Sequence, residues 1–304
     1  MSINTKKAFC WSDTIERLKT LGVFNFDFSP STLLLFLAVL GSNAAKVDDA
    51  VDSAIFRAFK EANDQSGGQL HDMAVNAHRI DLTGFNPETK RTVATLKMTN
   101  GDILHIAKGL LNKILDTSNG GVDSSDVQWR CMECDNRNAK AQIIEYDEFL
   151  SKRGYKTLAV AVGIEGPDKT IEWNFAGLLP MLDPPRFDTA ITILRLLEAG
   201  VEVKMITGDD QKIAKETARL VGLSENIMKG DIIREGTYER DDMVYLFIRR
   251  HNTNVFLTMI KLLNQVRHAG GFAQVLPRDK REVCNSRQEQ YAINLACVKT
   301  KLLL

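Results

Sequence analysis

Thr92-Val-Ala-Thr-Leu-Lys-Met98, Thr99-Asn100-Gly101-Asp102 and Ile103-Leu-His-Ile-Ala107 follow one another along the chain. This stretch decides the fold. Its two flanks alternate apolar and polar residues with a period of two, as half-buried strands do. The Asn-Gly pair between them favours a tight hairpin turn. An antiparallel sheet is therefore predicted, with the alternation beginning near His78. Upstream, residues 33–62 carry two helical patterns. The second places Val51, Ile55, Ala58 and Phe59 on one face. Asp27-Phe28-Ser29-Pro30 reads as a turn before a helix start at Ser31 or Thr32, and residues 1–30 otherwise show no period. Downstream, residues 117–125 read as a loop, 143–150 as a helix and 156–162 as a strand. Residues 31–165 thus form an α+β texture.

After Asp183-Pro-Pro-Arg186 the texture changes. Residues 188–199 form an amphipathic helix closed by Gly200, 201–206 a strand, and 211–221 a helix closed by Gly222. Residues 243–248 and 271–276 read as further strands and 255–266 as a helix. Helix and strand alternating in this way predicts an α/β unit with a parallel sheet. The fold class expected is α/β and α+β in two domains, which suits 304 residues.

Composition narrows the function classes. At 44% hydrophobic and 26% charged residues the chain is neither disordered nor collagen-like. Lys plus Arg and Asp plus Glu both number 39, so no global field attracts a nucleic acid. Five cysteines, an odd number in a long chain, fit a reducing cytoplasmic compartment better than a disulfide scaffold. The most apolar run, residues 33–40, is far shorter than the ~20 residues a bilayer needs, and the polar start is no signal peptide. No membrane insertion is expected.

Several short motifs could carry chemistry. Thr207-Gly208-Asp209 ends a strand and opens a helix, where loop amides suit a phosphoryl group. The same residues also read as a plain βα turn with Asp209 or Asp210 capping the helix. Asp183 and Arg186 flank a rigid double proline and suit either a hinge or a surface linker. Phe85 stands five residues before Lys90 and could stack on a purine whose phosphates meet the cation, or simply pack in the core. Lys108 beside Gly109 places a charge where a backbone can approach closely. Gly84 to Arg91 lacks the second glycine of a Walker loop. Cys131 and Cys134 form half of a metal or redox spacing without the other half, so no metal site is expected. The five histidines show no ligand or triad spacing.

In this order the pieces resemble the cytoplasmic part of P-type ATPases, most of all plasma-membrane proton pumps. The resemblance rests on Asp49-Ala-Val-Asp52, Phe85-Asn-Pro-Glu-Thr-Lys90-Arg-Thr92, Lys108-Gly109, Arg153-Gly-Tyr-Lys156-Thr-Leu-Ala-Val-Ala161, and Gly177 through Asp183-Pro-Pro-Arg186. It continues with Val203-Lys-Met-Ile-Thr207-Gly208-Asp209 and Gly271-Phe-Ala-Gln-Val-Leu-Pro-Arg-Asp-Lys280, and spans residues 25–283. It implies a nucleotide-binding domain over 25–165 and a partial phosphorylation domain of haloacid-dehalogenase type over 166–283. Residues 1–24 stay unassigned and 284–304 form a divergent tail.

The resemblance also implies roles. Phe85 would stack on adenine, Asp52 would meet the base edge, and Lys90, Lys108 and Gly109 would line the pocket. Lys156 stands where the family usually has arginine, which keeps the charge and loses the bidentate fork. Asp183 and Arg186 would link the domains, Thr207, Gly208 and Asp209 would surround the phosphoryl group, and Lys280 would neutralise the phosphorylated aspartate. ATP with Mg²⁺ is the implied cofactor.

Departures from the pattern shape the expected activity. The nucleophile motif Asp-Lys-Thr-Gly-Thr does not occur, because Asp168-Lys169-Thr170 continues with Ile171-Glu172 and reads as a hairpin turn. The second hinge motif, the Thr-Gly-Glu-Ser segment and membrane helices are likewise missing from these residues. A carboxylate nucleophile is required to form an acyl phosphate. The expectation is therefore ATP binding without hydrolysis or ion transport, no catalytic residue, and reduced stability beyond residue 170. An interaction or regulatory partner of an intact membrane pump, or a truncated gene model, are the alternatives.

Overall fold

The computed structural model describes residues 1–20, 28–43, 49–75, 77–86, 89–98, 101–118, 136–166, 168–231 and 268–276. The chain separates into two compact units. The first takes in Met1–Leu150 and Tyr155–Asp183, and the second takes in Ser151–Gly154 and everything from Pro184 onward.

In the first unit, the stretch around Asn100-Gly101 lies between β4 (Arg91–Met98) and β5 (Ile103–Gly109), paired antiparallel from Arg91↔Gly109 to Lys97↔Ile103. Gly101 takes φ +93°, a left-handed conformation that glycine adopts without cost. The sheet extends through β3 (Ala77–Asn86) on one side and β6 (Tyr155–Glu165) and β7 (Ile171–Leu182) on the other. Two short strands, β1 (Ser2–Ile3) and β2 (Phe9–Cys10), pair antiparallel with β7. Helix α1 (Ser12–Thr20) follows them. These elements emerge from the aperiodic opening residues, whose partners lie far away in sequence.

One face of the sheet is covered by α2 (Pro30–Leu40) and α3 (Ala50–Gln65). Helix α2 starts one or two residues before the expected Ser31 or Thr32: Ser29 caps it by accepting from the Thr32 amide at 3.3 Å, and Pro30 occupies the first turn. Leu33 to Leu40 are all buried, which suits a helix that is apolar all round. Each leucine buried in this way stabilises the fold by roughly 1.5–3 kcal/mol. Helix α3 is capped by Asp49, and its apolar face of Val51, Ile55, Ala58 and Phe59 packs into the same core. A short helix α4 (Gln69–Val75) leads into β3. On the other face, α5 (Leu111–Ser118) and α6 (Asn136–Ser151) pack Ile114, Leu115 and Ile143 against Ala107, Ala159, Ala161, Phe175 and Leu178. Thr117 and Ser118 thus end a helix and do not begin a loop. Asp168 and Thr170 form the turn between β6 and β7, with the Thr170 hydroxyl donating to Asp168 at 2.6 Å.

The second unit contains α7 (Thr189–Glu198), β8 (Met205–Ile206), α8 (Gln211–Leu220), β9 (Ile227–Lys229) and β10 (Gly271–Ala273). Among the described residues its strands pair in parallel in the order β8-β10-β9. The strand expected over 201–206 shrinks to two residues because the chain first folds back on α7. Gly200 takes φ +78°, and the Val201 amide donates to the Leu196 carbonyl at 2.9 Å. The strand expected over 271–276 stops at Ala273, since Gln274 takes φ +56°. β9 had no sequence signal beyond its brevity. The strand and helix expected over 243–248 and 255–266 lie outside the described residues.

Candidate functional site

Sheet register brings separated motifs to one end. β3 and β5 finish there, while β4 and β6 begin there, with Asn86 opposite Arg91, Arg91 opposite Gly109, and Gly109 opposite Ala159. Phe85, Lys90, Lys108, Gly109 and Lys156 therefore belong to the same end of the sheet. Phe85 is 56% exposed, so its ring is available to a ligand rather than spent in the core. Lys90 is exposed, with φ +50° in the turn between β3 and β4. Lys156 is half-buried on β6 opposite Met181.

Gly109 has a specific steric reason. A Cβ on it would lie 2.4 Å from the Lys90 carbonyl oxygen and 2.9 Å from the Arg91 Cα. The close approach that the sequence suggested at this glycine is thus made by the chain's own β3–β4 turn. The next residue, Leu110, donates its amide to that same Lys90 carbonyl at 3.3 Å.

Lys108 and Asp52 meet inside the fold. Their side chains are only 4% and 10% exposed, and the Lys108 ammonium donates to Asp52 Oδ1. It also donates to Ser42 Oγ at 2.5 Å. Asp52 Oδ2 accepts from the Asn43 amide at 3.0 Å, so both carboxylate oxygens are engaged. Burial pulls the Lys108 ammonium below the usual lysine range, while the hydrogen bond and charge of Asp52 oppose that pull. Asp49 adds to the opposition and Arg79 works against it. Ser42, Asn43 and Arg79 are the members of this arrangement that sequence reading missed. Gly41-Ser42-Asn43 looks like an ordinary end of a helix, and nothing in the spacing links it to Lys108.

The remaining expected residues lie elsewhere. Asp183 closes the first unit, with Oδ1 3.4 Å from the Met1 amine. Arg186 belongs to the second unit, where Nε lies 3.6 Å from Asp188 Oδ1. Thr207 follows β8 and is buried, and its hydroxyl accepts from the Asp209 amide at 3.1 Å. Backbone bonds lock the loop to β10: Thr207 N to Phe272 O at 2.9 Å, Val275 N to Thr207 O at 3.0 Å, and Gln274 N to Asp209 O at 2.9 Å. Gly208 is exposed on that loop. Of the two candidate caps for α8, Asp210 is the one used, accepting from the Lys212 amide at 2.9 Å. Lys280, Cys131 and Cys134 lie outside the described residues. Among the described residues, no group of three or more His, Cys, Asp or Glu side chains could hold a metal ion. Among them, too, no helix is long and apolar enough to cross a membrane.

Residues 38–188 match the family described as P-type ATPase, cytoplasmic domain N. A protein named as a plasma membrane ATPase from Dictyostelium discoideum is 36% identical over 203 residues, 66% of this chain and 17% of that protein. One named as a cation-transporting ATPase from Methanocaldococcus jannaschii is 28% identical over 264 residues, 86% of this chain and 27% of its own length. The chain thus spans less than a third of either relative. The chain is homologous to P-type ATPases, and its residues 38–188 match their cytoplasmic domain N.

Proposed function

We propose that the first unit binds an adenine nucleotide at the end of the sheet where β3 and β5 finish. The observation that carries this reading is the sheet register, which brings the strand ends bearing the exposed Phe85 ring and the buried Lys108–Asp52 ion pair to the same end of the sheet. A ring with a free face gains roughly 1–3 kcal/mol by stacking a base. Asp52 supplies acceptor lone pairs for the amino edge of adenine. Lys90 and Lys156 face the phosphates, because the charge of Lys108 is already matched by Asp52. Mg²⁺ arrives with the phosphates, since it keeps several waters and needs no protein cage.

The reading extends to the second unit in outline. Because β7 pairs with β6 in the first unit, it is residues 184–283 that belong to a phosphorylation domain of haloacid-dehalogenase type, with Thr207, Gly208, Asp209 and Lys280 around the phosphoryl site and Asp183 and Arg186 on the connection. The 304 residues contain no Asp-Lys-Thr-Gly-Thr. Asp168, the nearest match, is held in a turn by Thr170. These residues therefore bind nucleotide on the cytosolic side without forming an acyl phosphate. Incubation with γ-labelled ATP and Mg²⁺ tests both halves of the statement. Saturable retention of nucleotide with no acid-stable label on the protein is expected, and a hydroxylamine-sensitive label would overturn the second half.

A further inference from the structure

The turn after α2 is tied to the candidate nucleotide site by a set of buried hydrogen bonds. Ser42 is fully buried, its hydroxyl donates to the Ala38 carbonyl at 2.7 Å, and it accepts from the Lys108 ammonium. Its carbonyl accepts from Arg79 Nη1 at 2.8 Å, which ties the same residue to β3. Its neighbour Asn43 holds the second oxygen of Asp52. One short turn therefore contacts three charged side chains, Lys108, Asp52 and Arg79, each from a different element.

We propose that Ser42 is a positioning residue of the nucleotide site, whose hydroxyl holds the Lys108 ammonium against Asp52 so that both stand ready for the ligand. The inference rests on the nucleotide-binding reading above. An ammonium carries three donors and no acceptor, and it stays charged in a buried place only when acceptors surround it. Asp52 supplies one acceptor and Ser42 the second. The Ser42 hydroxyl is itself oriented, because its proton is committed to the Ala38 carbonyl and its lone pairs face Lys108. The charged groups around the ammonium are Asp52 and Asp49 from the α3 end and Arg79 from β3. Among the described residues, only Asp52 and Ser42 bond to it directly. Removing the hydroxyl leaves the carboxylate alone to hold the charge, so the lysine loses its proton more readily and its head loses one of two anchors.

The test uses the full chain labelled at lysine, with Ser42→Ala and with Ser42→Thr, which keeps the hydroxyl. The titration midpoint of Lys108 is read by NMR, and ATP affinity by calorimetry across pH. Ser42→Ala is expected to lower the Lys108 midpoint by about one unit and to weaken ATP binding roughly fivefold, with the affinity loss growing as pH rises. Ser42→Thr is expected to restore both. A Lys108 midpoint that stays in place in folded Ser42→Ala overturns the proposal. If the unmodified chain binds no ATP, the nucleotide reading fails while the Lys108 midpoint still tests the anchoring. Should Ser42→Ala not fold, the unmodified chain decides. A slowly exchanging Lys108 ammonium signal is expected, and one exchanging as fast as surface lysines overturns the proposal.

Discussion

Lys108 on β5 and Asp52 on α3, 56 residues apart in sequence, meet as an ion pair buried between the sheet and the helices. A buried pair of this kind is costly to break from one side, because the partner is left charged and unmatched. Lys108→Met or Asp52→Ala alone should destabilise the first unit by about 3–5 kcal/mol. The double variant should lose clearly less than the sum. Urea unfolding of the four chains measures the coupling, and strict additivity would contradict the pairing.

The same lysine sets a pH dependence. Its folded-state pKa is depressed below 10.5 by burial, so in the interval up to 10.5 the unfolded chain binds more protons than the folded one. Stability contributed by this group therefore rises with pH across that interval and is flat below it. Denaturation of the unmodified chain against Lys108→Met, from neutral pH to pH about 10, should show the rise only where the lysine is present.

Gly109→Ala tests the closeness of the β3–β4 turn. Its Cβ would stand 2.4 Å from the Lys90 carbonyl oxygen, a backbone atom that cannot swing away. A loss of roughly 1–3 kcal/mol is expected, with a shift in the NMR signals of Lys90 and Arg91. An unchanged stability would mean that the turn is not seated on the strand as described.

How much of this was legible in the sequence depends on distance along the chain. The β4–β5 hairpin and the apolar face of helix α3 could be read directly, because their signals are local: alternation around Asn100-Gly101, and Val51, Ile55, Ala58 and Phe59 at helical spacing. β1 and β2 could not, because two-residue strands have no period and their partner β7 lies more than a hundred and sixty residues on. The strand expected over 201–206 was cut to Met205–Ile206 by a local competitor, the helix end at Gly200, which captured Val201. Phe85, Lys90, Lys108 and Gly109 were found as motifs, but only the register shows that they share one end of the sheet. That Lys108 is spent on Asp52 and Ser42 had no sequence signal, since ion pairing across α3 and β5 is a property of packing.

Cys10 offers an independent check on the packing of the opening residues. Burial pushes its thiol up from 9.0 to about 11. Its thiolate fraction at pH 8 is then about a hundredfold below that of an unperturbed thiol. Peptide-level mass spectrometry after brief alkylation should find Cys10 labelled slowly in the folded chain and rapidly in urea. Fast labelling of the folded chain would place β2 off the sheet.

Calorimetric titration with ATP and Mg²⁺, comparing the unmodified chain with Phe85→Ala, tests the central claim most directly. Phe85 is exposed, so its loss should leave stability nearly unchanged while weakening binding by roughly tenfold or more. Equal affinity in the two chains, or no binding by the folded unmodified chain, would contradict a nucleotide site at this end of the sheet.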